Sequence, residues 1–96
     1  MDAEAKRLKK RWLAEQKTAA RALFPLSDGQ LEELFAHVET AMASHGCDHT
    51  LCHTRHWLAE RDFAVDPVVD WLGDNGGYCD CEVAANARGH FDENRS

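Results

Sequence analysis

Four cysteines and a histidine are the residues of this chain whose side chains could bind a metal ion. The cysteines occupy positions 47, 52, 79 and 81, and His49 follows the first of them by two residues. The pairs Cys47-x-His49 and Cys79-x-Cys81 each place two soft ligands close together. Zinc prefers sulfur and imidazole ligands, and three cysteines with one histidine complete a tetrahedral structural site. The sequence therefore predicts a structural Zn²⁺ site formed by Cys47, His49, Cys79 and Cys81.

The same cysteines have other interpretations. One residue separates Cys79 from Cys81, whereas zinc knuckles and redox motifs usually have two. As small apolar side chains, both could be buried beside Val83 without any ligand. As a dithiol, they could form the centre of a thiol redox protein or sensor. Cys52 could replace a missing zinc ligand, although the cysteines and histidine of the two pairs are better placed.

Three histidines recur at a spacing that would put them on one face of a helix. They are His49, His53 and His56. In metalloproteases, two histidines four residues apart flank a glutamate that acts as the base. No glutamate lies between His49 and His53, and the chain has neither a phosphate-binding glycine loop nor a nucleophile elbow. The pattern favours a histidine-rich surface over a second metal site, and a non-catalytic protein over an enzyme.

The hydrophobic pattern of the first half of the chain predicts two helices. Residues 3–23 are rich in strong helix formers, place apolar residues on one side, and end before Pro25. The second helix is predicted over residues 28–45, where Ser27 and Gln30 form a capping box at its start. These helices precede the first pair of candidate ligands.

Two further helices and an extended segment are predicted in the second half. The third helix begins within residues 47–50, at the first ligand pair. The fourth begins with Asp66 as its cap and Pro67 as its first residue. Residues 78–83 alternate as in a short strand, which would turn the two cysteines inward and Asp80 outward.

The predicted fold is mostly α, a small single-domain helical fold of about four helices with a short C-terminal extended or β segment. The domain covers residues 1–86, and we expect its basic N-terminus, residues 1–10, to fray. Residues 87–96 are predicted to be a disordered tail. A 96-residue domain has a thin core, so a bound metal would stabilise it. The largest core side chains are predicted to be Trp12, Trp57 and Trp71.

Charge is unevenly distributed along the chain. The formal net charge is −6, but residues 1–24 carry a net charge of +4 and the remainder carries −10. The basic arm is either a solvated helix held by the acidic body or the nucleic-acid-binding arm of a regulator. No aromatic series accompanies the basic residues, and the acidic body would repel phosphates. A nucleic-acid partner is therefore disfavoured, and a protein partner stays open.

The sequence contains no sign of a membrane segment. No apolar run approaches the roughly 18 residues that a membrane span needs. The N-terminal residues lack the apolar stretch of a secretory signal. We therefore expect a cytoplasmic protein without a membrane partner, in which the reducing environment keeps the cysteines free of disulfides.

Several motifs of this chain occur together: Cys47-Asp48-His49-Thr50-Leu51, Thr54, Trp57-Leu58, Trp71-Leu72 and Gly76-Gly77-Tyr78-Cys79-Asp80-Cys81-Glu82-Val83. They resemble a small bacterial family, domain of unknown function 2695 (DUF2695), over about residues 10–86. The resemblance implies a bacterial cytoplasmic protein in which Cys47, His49, Cys79 and Cys81 belong to the family pattern, whereas Cys52 departs from it. It implies no substrate and no activity.

Overall fold

The computed structural model describes residues 3–95, and its regular structure is entirely helical. Because no β strand occurs within these residues, the predicted mostly α fold is confirmed, whereas the predicted extended segment at residues 78–83 is wrong. None of the described helices combines the length and apolar character needed to cross a membrane. The elements are α1 (Ala3–Ala22), α2 (Asp28–His45), α3 (Cys52–Glu60), α4 (Val65–Asp74), α5 (Asp80–Glu82), a π-helical turn (Val83–Ala87) and α6 (Arg88–Asn94).

Helix α2 has the bounds that the sequence predicts. The Gln30 N–H donates to the Ser27 hydroxyl at 3.2 Å, and the Ser27 N–H donates to the Gln30 side chain at 3.0 Å. This capping box satisfies two backbone donors at the start of the helix. The helix ends at His45 and is followed by Gly46. The Gly46 backbone has a φ of 72°, a conformation that residues other than glycine rarely adopt.

Replacing Ser27 by alanine should lower the free energy of unfolding by about 1 kcal/mol, because the Gln30 N–H loses its acceptor. Urea unfolding measures this change. The matched control is Ser44→Ala, which makes the same substitution at an exposed position near the end of the same helix. Equal midpoints for the two variants would show that the capping box contributes nothing to stability.

Helices α3 and α4 begin at different residues from those predicted. Residues 47–50 are irregular, and α3 begins at Cys52. Helix α4 begins at Val65 after an extended Ala64, so Pro67 is its third residue rather than its first. Proline is tolerated there because the first turn of a helix needs no donor from it.

The core lies between one face of α2 and the helices that follow it. Four α2 side chains at helical spacing are at most 1% exposed: Leu31, Leu34, Phe35 and Val38. Because they share one face, α2 can bury them all against the other helices at once. The side chains of the following helices that complete the core include Trp57, Leu58, Val68, Trp71, Leu72, Val83, Ala87 and Phe91.

The C-terminal residues form a helix instead of the predicted disordered tail. Val83, Ala87 and Phe91 recur every four residues along the continuous helical segment and are at most 1% exposed. The Phe91 ring lies 5.4 Å from the Phe35 ring between centroids. One large apolar residue at the right spacing therefore folds a segment whose composition is otherwise polar. Ser96, the last residue of the predicted tail, lies outside the described residues.

Helix α1 extends away from the core. Trp12, predicted as a core residue, is 58% exposed, so that prediction is wrong, whereas Trp57 and Trp71 are buried. The radius of gyration is 15.7 Å, against about 12–13 Å for a compact chain of this length. Residues 3–10 are helical, while Met1 and Asp2 lie outside the described residues. The predicted fraying of residues 1–10 stays a prediction.

Candidate metal centre

Three of the four predicted zinc ligands converge in the structure. The sulfur atoms of Cys47, Cys79 and Cys81 all lie within 4.8 Å of one another, and those of Cys79 and Cys81 are 3.2 Å apart. In a tetrahedral site with Zn–S bonds of about 2.3 Å, neighbouring sulfurs lie about 3.8 Å apart. The three sulfurs therefore outline one face of a tetrahedron of suitable size. Cys79 is buried, Cys47 is half-buried and Cys81 is exposed.

A tight reversal after α4 brings the second cysteine pair to the end of α2. Gly76 has a φ of 82°, a conformation that suits glycine. A Cβ atom at Gly77 would lie 3.0 Å from the carbonyl oxygen of Leu72, and the Gly77 N–H donates to this oxygen at 2.7 Å. These two glycines allow the close backbone approach that positions Cys79 and Cys81.

His49 is the predicted ligand that the structure does not bring into the group of sulfurs. Its ring nitrogens are not among the ligand atoms that lie within 4.8 Å of one another, and the residue is exposed. Its backbone has a φ of 67°, and its N–H donates to the Cys47 sulfur. Metal binding by the His49 ring therefore stays a prediction, and it requires the side chain to turn toward the sulfurs.

The thiols of this group differ in their electrostatic environment. The backbone N–H groups of Cys81 and His49 donate to the Cys47 sulfur and lower the pKa of the Cys47 thiol. Hydrogen bonds to the sulfurs of Cys79 and Cys47 raise the pKa of the Cys81 thiol to about 11. As the pH rises, the Cys47 thiol therefore becomes a thiolate before the Cys81 thiol does. A cation bound among the sulfurs would displace the remaining thiol protons.

Asp80, between the two cysteines, is fully buried and caps helix α3. Its Oδ2 accepts the N–H of His53 at 2.9 Å, and its Oδ1 accepts the N–H of Thr54 at 3.1 Å and the Thr54 hydroxyl at 2.7 Å. The first backbone donors of a helix have no partner within the helix. Asp80 supplies acceptors for two of them, so the prediction that it points outward is wrong.

Sequence reasoning missed this cap because Asp80 lies 27 and 26 residues from the two backbone groups that it binds. Residue 51, which precedes α3, is a leucine and has no capping side chain. That missing cap is a signal that an acceptor must come from elsewhere in the chain. A further bond, from the Asp80 N–H to the Thr50 carbonyl at 2.9 Å, holds the two segments together.

A second group of ligand-type atoms belongs to the same capping network. One ligand atom from each of Cys52, His53 and Asp80 lies within 4.8 Å of the others. The Asp80 oxygens already accept the donors of α3, and the Cys52 sulfur lies 3.6 Å from Oδ2. The His53 Nε2 lies 3.0 Å from the Gly46 carbonyl oxygen. These contacts serve the start of α3, and Cys52 stays outside the three-sulfur group.

The predicted histidine face is divided in the structure. His49 precedes α3, so it does not share a helical face with His53 and His56. The His56 Nε2 lies 3.0 Å from a carboxylate oxygen of Glu60 at the surface. A surface cavity of about 320 Å³ between α2 and α3 is nevertheless rich in histidines, which are His37, His45, His53 and His56.

Comparison with known proteins finds relatives of unknown function. A family model described as "Protein of unknown function (DUF2695)" matches residues 34–86, which include both pairs of candidate ligands. Uncharacterized proteins from Mycobacterium bovis and from two strains of Mycobacterium tuberculosis are each 32% identical to the chain over 71 residues, which cover 74% of the chain and 72% of each relative. No solved structure matches the chain.

Proposed function

The chain belongs to the DUF2695 family of proteins of unknown function, and we propose that it is a non-catalytic binding or structural module stabilised by a Zn²⁺ ion. The proposed ligands are the sulfurs of Cys47, Cys79 and Cys81, with the imidazole of His49 in the fourth position. The observation that carries the proposal is the convergence of three sulfurs from two distant segments. We further propose a cytoplasmic location, where the thiols stay reduced and available to the metal.

The position of the sulfurs explains why a metal would be useful here. Cys47 lies two residues after the end of α2, and Cys79 and Cys81 flank the start of the C-terminal helical segment. A shared ion would therefore connect two elements whose side chains pack against each other in the thin core. Because such a site does not exist in the unfolded chain, metal binding free energy becomes folding free energy. A fourth ligand from His49 would leave no open position for a substrate, so the proposed ion is structural rather than catalytic.

Metal analysis of tag-free protein refolded with zinc and then desalted tests the proposal. The expected result is one equivalent of zinc, which falls well below one in each of Cys47→Ser, Cys79→Ser and Cys81→Ser. Cys52→Ser is the matched control and should keep the zinc, because its sulfur lies outside the group. His49→Ala should weaken zinc binding without abolishing it, since all three converging sulfurs remain. Substoichiometric zinc in the unmodified protein would contradict the proposal.

A thiol redox protein is the second candidate, and the 3.2 Å distance between the sulfurs of Cys79 and Cys81 favours it. The raised pKa of Cys81, about 11, opposes this function because the thiolate is the reactive form. Thiol alkylation with and without chelator distinguishes the candidates. A redox dithiol reacts at once, whereas metal-bound thiols react only after the chelator is added.

A further inference from the structure

Helix α1 and the residue that follows it present a stripe of exposed apolar side chains, which polar residues interrupt at its middle. Residues 5–19 are all exposed, and Leu8, Trp12 and Leu23 are 60%, 58% and 73% exposed. With Ala19, these side chains recur at spacings of three to four residues or their multiples, so they lie on one side of the helix. Exposed apolar surface of this extent on a small soluble domain marks an interaction site.

A groove lies beside the C-terminal half of this stripe. A cavity of about 510 Å³ separates the last turns of α1 from α4, and its apolar walls include Ala19, Leu23 and Trp71. Two carboxylates of α4, those of Asp70 and Asp74, also line it. An occupant of this groove therefore needs an apolar side and a basic side.

We propose that the occupant is helix α1 of a second copy of this chain, packed antiparallel to the first. When the twofold axis lies between Glu15 and Gln16, Leu8 of each copy faces Leu23 of the other, and Trp12 faces Ala19. The large Trp12 side chain then lies opposite the small Ala19, which lets the two helices approach closely there. Because Ala19 lines the groove, this register also places Trp12 of the second copy at the groove.

The charges of the chain favour the same register. Antiparallel pairing sets Lys9 of one copy beside the last turn of α1 in the other, on the side where Asp70 and Asp74 line the groove. The basic arm, with a net charge of +4, thus meets the acidic body, with a net charge of −10. Parallel pairing would instead bring the two basic arms together, and their repulsion would oppose it.

Size-exclusion chromatography with light scattering, performed on the full-length, zinc-supplemented protein at several concentrations, tests the proposal. The expected mass is twice the chain mass of 10.8 kDa. Trp12→Asp should raise the dimer dissociation constant by at least about tenfold, because it places a charge on the shared stripe. The matched control is Ala14→Asp, which introduces the same charge at an exposed position on the opposite side of α1. Circular dichroism verifies that both variants keep their helices.

A charge exchange tests the register itself. The variants Lys9→Glu and Asp70→Lys/Asp74→Lys should each weaken self-association, and mixing the two should restore a dimer because the groove carboxylates and the arm lysine are then exchanged. A monomer at every concentration would overturn the proposal, as would equal effects of Trp12→Asp and Ala14→Asp on the dissociation constant. Salt-dependent binding of an RNA or DNA oligonucleotide by a monomer would assign α1 to nucleic acid and overturn it as well. Because Trp12→Asp should keep its zinc, this test is separate from that of the metal site.

Discussion

Replacing Cys79 by serine is expected to abolish zinc binding and to lower the melting temperature by about 10 °C or more. Cys79 is the most buried of the three converging cysteines, and its side chain is only 7% exposed. Without its sulfur, the ion no longer connects the end of α2 to the C-terminal helical segment. Differential scanning calorimetry in zinc-supplemented buffer measures the shift. The control is Cys52→Ser, which removes a sulfur that lies outside the group. Its melting temperature should stay close to that of the unmodified protein.

A buried serine could itself destabilise the core, so a chelator is needed to isolate the contribution of the metal. In excess chelator, the melting temperature of the unmodified protein should fall almost to that of Cys79→Ser. The variant itself should be insensitive to the chelator because it holds no zinc. An unmodified protein that melts at the same temperature with and without chelator would contradict a structural metal site.

Replacing Asp80 by alanine is expected to lower the free energy of unfolding by about 3–4 kcal/mol. The variant leaves the N–H groups of His53 and Thr54 and the Thr54 hydroxyl without their acceptor. The Thr54 side chain is fully buried, so water cannot readily replace the lost carboxylate there. Urea unfolding measures the change, and Glu33→Gln, which removes an exposed carboxylate from α2, is the control.

Asp80→Asn separates the capping role from a role in metal binding. The amide keeps one acceptor oxygen but turns its NH₂ group toward a backbone donor, so the loss of stability should lie between that of the control and that of Asp80→Ala. Its zinc content should equal that of the unmodified protein, since the three sulfurs are unchanged. If Asp80→Ala were as stable as Glu33→Gln, the carboxylate would not be the cap of α3.

Local patterns in the chain were sufficient to predict several parts of this structure. The capping box of Ser27 and Gln30 and the glycine at position 46 define α2 because each acts on residues within a few positions of itself. Beyond these local patterns, the expectation that the two ligand pairs share one metal ion predicted that Cys47 lies near Cys79 and Cys81, and their sulfurs do lie close together. Metal binding by this group stays a proposal.

Long-range packing accounts for the features that could not be predicted in this way. Asp80 turns inward because the start of α3, more than twenty residues earlier, leaves backbone donors that need an acceptor. Phe91 folds a polar segment because α2 offers it an apolar surface, and Trp12 stays exposed because α1 extends past the core. A residue's neighbours in sequence determine its backbone preferences. Whether its side chain is buried depends on which distant surface the folded chain brings to it.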